Sequence, residues 1–266
     1  MVHSGKSISS AVLALLLGLG GMATQRTLAQ AAAIPSSTAI PVIFTQTLDT
    51  AKAKPGEIVT AKTTQVVLLP GGRVLRSGTS LIGHVVESTP FAFNPTPYAV
   101  QKPSILSVHF DKIVTSGSTI PVSLSVRAIA GPVASHEASI LHYRDETDST
   151  GTRILVGGNE FSPIESQVLS SSGNVVGYNR NNGVFARLIA GDYEGGNAVL
   201  HCAATESEQS VGIFSATACG AYGLDAASMS NNGINGDGTF VLESSRETVK
   251  LYASSAALLQ VVGSGL

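Results

Sequence analysis

Charged side chains are scarce in this chain, and tryptophan is absent. Asp, Glu, Lys and Arg make up 13% of the 266 residues, and aromatic residues make up 5%. An intracellular globular domain usually carries about twice that share of charge. Because the chain has no cluster of Lys and Arg and few rings on which bases stack, nucleic acid is not expected as a partner. The formal charge of −2 predicts a weakly acidic surface.

Sequence motifs of hydrolases and metalloenzymes are also missing. The chain contains no Gly-x-Ser-x-Gly nucleophile motif and no His-Glu-x-x-His zinc motif. His109 and Asp111 share one face of a predicted strand, which leaves open a catalytic triad that assembles only in space. We therefore assign no catalytic residue, and enzymatic activity is not expected, although the sequence leaves that question open.

One local group of side chains has the chemistry of metal ligands. His136, Glu137 and His142 lie close to Asp145 and Glu146. The two histidines are six residues apart, so they would not share a helix face as positions i and i+4 do. A solvated polar segment is the better interpretation, and we predict no metal site and no cofactor.

Cysteine occurs at two positions, Cys202 and Cys219. In an oxidising compartment two thiols at this separation are predicted to form a disulfide. The alternative is a pair of buried free thiols. Neither residue has the Cys-x-x-Cys spacing that marks a redox motif.

Residues 1–29 have the composition of a cleavable export signal. Lys6 provides a positive start, residues 11–19 (AVLALLLGL) form an apolar run, and small residues precede a predicted cut after Ala29. A second predicted cut follows Ala23, and a retained membrane anchor is the alternative. An apolar run of about a dozen residues is shorter than the roughly 20 needed to span a bilayer, which favours cleavage. We expect a periplasmic, envelope-associated or secreted protein without a transmembrane segment after the signal is removed.

Alternation of apolar and polar residues dominates residues 40–130. In residues 120–128 (IPVSLSVRA) the even-numbered positions are apolar, which predicts a strand with one face packed and the other in water. Four prolines predict a loop over residues 89–103. Asn182-Gly183 predicts a hairpin turn between strands near residues 175–176 and 184–186. The predicted fold class is all-β, a mostly antiparallel barrel or sandwich, with a short helix over residues 135–144.

These patterns divide the chain into five segments. After the signal peptide of residues 1–29, residues 30–39 form a flexible lead-in and residues 40–130 form a β-barrel-like region. Residues 131–152 are a linker or loop. Residues 153–266 form a second β-rich region, which either completes the same barrel or stands as its own domain.

Residues 48–125 contain glycines at predicted turns and apolar residues at predicted core positions, in an order similar to that of a known family. Pro55-Gly56 precedes a strand, residues 72–83 read GRVLRSGTSLIG, and Gly117 lies in the turn of a later strand pair. In these features the segment resembles the extracytoplasmic β-barrel of conjugative-transfer channel proteins of type IV secretion systems. The membrane helix, proline-rich stalk and helical antenna of that family are not recognisable in this chain. The resemblance therefore implies a barrel-like scaffold outside the cytoplasm, and it carries over no functional residue.

Together, the sequence predicts a non-catalytic, exported β-module of a bacterial-type cell envelope, with a structural role or a role in binding envelope proteins. One alternative is a secreted hydrolase whose site is assembled in space. Another is a surface adhesin or ligand-binding module, which would present an exposed apolar patch or a concave pocket.

Overall fold

The computed structural model describes residues 33–143, 145, 147, 149–195, 198–231 and 238–263. The predicted signal peptide, residues 1–29, lies outside these ranges. Within the described part of the chain, no helix has the length and apolar character of a membrane span.

The predicted all-β fold class is confirmed, and the strands are short and numerous. In chain order they are β1 (Ala39–Phe44), β2 (Leu48–Asp49), β3 (Ile58–Thr63), β4 (Val67–Leu68), β5 (Val74–Leu75), β6 (Ser80–Thr89), β7 (Ser104–Val114), β8 (Thr119–Pro121), β9 (Ser123–Ala130), β10 (Arg153–Ile154), β11 (Glu160–Phe161), β12 (Gln167–Leu169), β13 (Val175–Arg180), β14 (Gly183–Ala186), β15 (Gly191–Gly195), β16 (Ala198–Cys202), β17 (Gln209–Ser210), β18 (Gly220–Tyr222), β19 (Ser228–Asn231), β20 (Thr239–Ser244), β21 (Lys250–Leu251) and β22 (Ala256–Gly263). A helix, α1, spans Pro132–Glu137, and a 3-10 turn spans Pro70–Gly72.

The main sheet is a nearly closed barrel. Its strands follow the order β18-β9-β22-β1-β3-β6-β7-β20-β19, with β8 added to β7. All neighbours are antiparallel except β18 and β9. At the seam between β19 and β9, the Asn231 amide donates a hydrogen bond to the Val126 carbonyl, and its Oδ1 accepts one from the Val126 N–H at 3.3 Å. A side chain thus replaces a strand ladder at the point of closure.

The last strand settles how the two halves of the chain are connected. Strand β22 lies between β9 and β1, and β20 pairs with β7 along six residues. The C-terminal segment therefore completes the sheet that residues 39–130 begin. It does so with long-range antiparallel pairs.

The interior of the barrel is filled by the apolar members of the alternating strands. Phe110 lies at its centre, with its ring centroid 6.1 Å from that of Phe44 and 6.5 Å from that of Phe240. These distances fall in the range of favourable aromatic pairs. The other buried interior residues include Ile40, Val42, Val59, Ala61, Leu81, Val85, Leu106, Val108, Ile113, Leu124, Val126, Leu242, Ala257, Leu259 and Val261.

A second sheet covers the outside of one barrel wall. Strands β10-β11-β12-β13-β14-β17 form it, all antiparallel. A separate apolar cluster fills the space between the two layers. From the barrel this cluster takes Ala39, Ala128, Ala130, Ala256 and Leu258, whose mostly small side chains allow the second sheet to approach closely.

One side chain in particular fastens the two layers together. The buried Gln65, in the turn after β3, donates to the Val184 carbonyl at 2.8 Å and to the Ser210 hydroxyl, and it accepts a hydrogen bond from the Val184 N–H at 3.0 Å. Each end of its amide is therefore satisfied by the second sheet.

The structure corrects the prediction for residues 120–128. Ser125 and Arg127 were predicted to face water, but they are only 6% and 2% exposed. The loops that contain Ile189, Ala203 and Ala218 cover Arg127, and Ser125 shares a cleft with Leu200 and Cys202 of β16, so both faces of this strand are buried. Strands that are buried on both faces do not follow a simple inside-outside alternation.

Three local predictions differ in detail from the structure. The short helix begins at Pro132 and ends at Glu137, three residues before the predicted start and seven before the predicted end, because proline is well suited to a first helical turn. The hairpin turn is formed by Asn181 and Asn182, with φ of 52° and 60°, one residue earlier than predicted. Within the predicted lead-in, Ile34 is buried in the barrel core, and residues 35–37 are exposed.

Candidate functional site

The β6–β7 hairpin ends in an exposed loop that we call the hairpin tip, residues 90–103. The ladder reaches Thr89 and Ile105, and one further bridge joins Ala92 to Lys102. The predicted loop over residues 89–103 is confirmed, with β6 extending to Thr89. The tip is thus mounted on the two longest strands of the barrel.

The backbone of the hairpin tip is restrained by one side chain and by its prolines. The Gln101 amide donates to the carbonyls of Asn94 and Ala99 at 3.1 and 3.2 Å, and its Oε1 accepts a hydrogen bond from the Asn94 N–H at 2.7 Å. Prolines at positions 90, 95, 97 and 103 fix four φ angles. Restraint of this kind lowers the entropy that a loop loses when it binds.

Three large apolar side chains of the hairpin tip face solvent. Phe93 is 73% exposed, Val100 is 93% exposed and Tyr98 is fully exposed. Three large apolar side chains this close in sequence are unusual on the surface of a monomer, where apolar residues are normally scattered singly. The hairpin tip therefore has the composition of a contact surface.

The sequence-predicted pair His109 and Asp111 lies on the outer face of the barrel wall, together with His84. The His84 Nδ1 lies 2.9 Å from the Asp111 Oδ2, and the two imidazole rings are 5.6 Å apart. Asp111 occupies a bulge in the β6–β7 ladder, since Ile82 pairs with Lys112 and Gly83 with Phe110. The bulge directs the carboxylate towards both histidines.

A hydroxyl group close to this pair belongs to Thr239 on β20. Its Oγ1 lies 3.5 Å from the His109 Nδ1, and the His109 Nε2 lies 3.8 Å from the Asp111 Oδ1. Both distances exceed that of a good hydrogen bond between a nucleophile, a base and its orienting acid. Thr239 is also only 4% exposed, so a substrate could not reach it without rearrangement.

The predicted cluster around His136 is dispersed. His136 lies on α1, while His142 pairs with Thr152 and its Nε2 lies 3.3 Å from the Glu137 carbonyl. The Asp145 carboxylate accepts hydrogen bonds from Thr147, and residue 146 lies outside the described residues. Among the residues that the structure describes, no group of three or more His, Cys, Asp or Glu side chains could hold a metal ion.

The predicted disulfide between Cys202 and Cys219 is confirmed, with the two Cα atoms 6.0 Å apart. It joins the end of β16 to the segment before β18, and both sulfurs are buried beside β9. A cross-link that closes a loop of this length contributes about 3 kcal/mol in the chain-entropy description.

Arg127 is the most unusual buried residue, and sequence reasoning missed it. Its Nε donates to the Ala218 carbonyl at 2.9 Å, and its two terminal nitrogens donate to the carbonyls of Ala203, Ile189 and Ala216. The four acceptors are backbone groups of the loops that lie over β9. The only sequence signal is a charged residue within an otherwise well-patterned strand.

Burial determines the electrostatics of Arg127. Loss of hydration lowers the pKa of its guanidinium to about 10, while the nearby Tyr222 acts in the opposite direction. The group is still charged at neutral pH, and the carbonyls replace the water it has lost. Since Ala203 follows Cys202 and Ala218 precedes Cys219, the guanidinium and the disulfide fasten the same two segments. Arg127 is therefore an organising residue of the fold.

No protein-family model, no curated protein and no solved structure matches this chain. Its function has to be inferred from its own residues.

Proposed function

We propose that this chain is a non-catalytic β-module that works outside the cytoplasm, in the cell envelope or after secretion, and that it binds a protein partner through the hairpin tip. The export-type sequence of residues 1–29 supports the location. The disulfide suits an oxidising compartment. The resemblance of residues 48–125 to extracytoplasmic barrels of type IV secretion systems supports an envelope role.

The observation that carries the proposal is the exposure of Phe93, Tyr98 and Val100 on a restrained loop. Burying a side chain such as Phe93 or Val100 in an interface contributes roughly 1.5–3 kcal/mol. Aromatic residues such as tyrosine are common at the energetic centre of protein interfaces. Because Gln101 and the prolines already hold the loop in shape, little of this gain is lost to ordering on binding.

A site-specific photo-crosslinking experiment in native cells tests the proposal. A photoreactive amino acid replaces Tyr98 at the hairpin tip or, as a matched control, the half-exposed Tyr252 outside it. We expect one discrete protein adduct from position 98 and none from position 252.

A second substitution checks that the contact is apolar. Phe93→Ser, added to the chain that carries the photoreactive residue at 98, should reduce the adduct about tenfold, since interface aromatics often account for more than 1 kcal/mol of binding. The same substitution should leave the melting temperature unchanged, because Phe93 is mostly exposed. Recovery of the chain as free monomer in the medium, or equal adducts from both positions, would contradict the proposal.

A further inference from the structure

A cleft of about 600 Å³ lies where the second sheet meets the barrel. Its walls come from β10 and β11, from the β13–β14 hairpin, and from the barrel turn at Thr64 and Gln65. This volume falls in the range of sites that hold small organic ligands. No residue of the hairpin tip lines it, so it is a separate candidate site.

The charge of this cleft sets it apart from its surroundings. Among the described residues, the charged side chains that line it are Arg153 and Arg180, and no carboxylate accompanies them. A second cleft of the same volume is lined by Asp225, Glu243 and Arg246, a mixture with a net negative charge. Glu208 compensates the charge of Arg180, so the net positive charge of the lining comes from Arg153, and in a chain with a formal charge of −2 it favours anionic ligands.

Arg153 has unused hydrogen-bonding capacity. Its partner across the β10–β11 ladder is Phe161, which also lines the cleft. The Arg153 Nε is buried and has no hydrogen-bond partner among the described residues. Buried donors are normally paired, and an unpaired one in a cleft points to a missing acceptor.

Arg180 is held in place at the opposite wall. It forms an ion pair with Glu208, and its guanidinium carbon lies 5.3 Å from the Phe185 ring centroid and 5.9 Å from that of Tyr178. Glu208 is not among the residues that line the cleft. Arg180, compensated by Glu208, therefore fixes one wall of the cleft, while Arg153 supplies the uncompensated positive charge and the unpartnered Nε donor.

The remaining lining residues indicate the shape of a ligand. Leu155, Phe161 and Val184 form an apolar floor, and the amides of Asn181 and Asn182 lie at the rim. An apolar floor can hold the apolar body of a ligand. The guanidinium of an arginine can donate two parallel hydrogen bonds to the oxygens of a carboxylate or phosphate. We propose that this cleft binds a small organic anion, with its carboxylate or phosphate on Arg153 and its apolar body against Leu155 and Phe161.

Resonance shifts in a two-dimensional amide NMR titration of the full mature chain test the charge requirement. The probes are benzoate, phenyl phosphate and benzamide, which has the shape of benzoate without its charge. We expect benzoate or phenyl phosphate to shift resonances of the cleft residues, and the stronger of the two identifies the preferred head group. Benzamide should bind at least about tenfold more weakly. The proposal would be overturned if benzamide bound as tightly as the anions. It would also be overturned if neither anion caused a shift at about 10 mM, a concentration that detects even millimolar affinity.

Variants of Arg153 test the position of the anion. Arg153→Gln should weaken binding of the anionic probe at least about tenfold, and Arg153→Lys should lie between it and the natural chain, because lysine keeps the charge but loses the fork. Arg187→Gln removes one exposed positive charge outside the cleft and should bind as the natural chain does. Unchanged binding by Arg153→Gln, or an equal loss in Arg187→Gln, would overturn the proposal. The comparison of benzoate with benzamide on the natural chain remains decisive if a variant does not fold.

Discussion

Two walls of the barrel share one interior but differ on their outer faces. The covered wall consists of β9, β22 and β1, and the free wall consists of β3, β6, β7 and β20. On the covered wall the outward side chains are mostly small or apolar, as at Ala128, Ala256 and Leu258, and Arg127 is the charged exception. On the free wall they are polar and partly exposed, as at His84 and His109. One barrel can thus have a strand pattern of period two on one side and continuous apolar strands on the other.

The two walls differ in what satisfies their polar side chains, which is water on the free wall and other protein groups on the covered wall. On the free wall, water satisfies the polar side chains, and substitutions there are expected to be tolerated. On the covered wall, every polar group needs a partner within the protein. Arg127 meets this requirement with four carbonyls, so it places the overlying loops at defined positions relative to β9.

The largest expected effect comes from removing the polar group of the covered wall. Arg127→Met keeps much of the side-chain volume but leaves the carbonyls of Ile189, Ala203 and Ala218 without the guanidinium donors, while the Ala216 carbonyl still accepts from the Ile189 N–H. Each buried group that loses its partner costs about 1–3 kcal/mol, so we expect the free energy of unfolding to fall by about 3 kcal/mol or more. Urea denaturation, followed by circular dichroism, measures the change.

A charge-preserving variant separates hydrogen bonding from charge. Arg127→Lys retains the positive charge but cannot reach four acceptors in the geometry of a guanidinium, so it should also lose stability, by about half as much as Arg127→Met. A loss below about 1 kcal/mol for Arg127→Met would mean that the loops over β9 find other partners, and the distinction between the two walls would then be weaker than proposed.

A second prediction compares aliphatic residues on the two walls. Leu258 faces outward on the covered wall and is fully buried, whereas Ile58 faces outward on the free wall and is mostly exposed. Leu258→Ala should reduce the free energy of unfolding by about 3 kcal/mol because it leaves a cavity between the layers. Ile58→Ala should change it by less than about 0.5 kcal/mol. Equal losses in chemical denaturation would show that both walls are covered to the same extent.

The barrel interior was predictable from sequence, and the covered outer face was not. The alternation at Leu106, Val108 and Phe110 identifies interior positions because a strand has a fixed period of two. Ser125 and Arg127 follow the same alternation and look water-facing. Their burial depends on β16 and on the loops that contain Ile189, Ala203 and Ala218, and no local pattern in β9 indicates these distant contacts.

The candidate sites were only partly predictable for the same reason. The prolines of residues 90–103 predict a loop, but they do not show that Phe93 and Tyr98 lack a partner in the core. Arg153 and Arg180 come together only through the stacking of short strands in the second sheet. Cys202 and Cys219, by contrast, were paired correctly because a chain with two cysteines allows a single intramolecular disulfide.

The smallest expected effect lies on the free wall, at the contact between His84 and Asp111. Asp111→Asn removes the charge that faces His84 Nδ1 at 2.9 Å, but both side chains are 40% exposed. Pairs this accessible to water contribute about 0–1 kcal/mol, so the free energy of unfolding should fall by less than about 1 kcal/mol. The loss should be smaller still in 1 M salt, where charges are screened within about 3 Å. Urea denaturation at low and high salt measures both values. A loss above about 2 kcal/mol, insensitive to salt, would place this pair in the same class as Arg127 and remove the distinction between a wall held by protein and a wall that faces water.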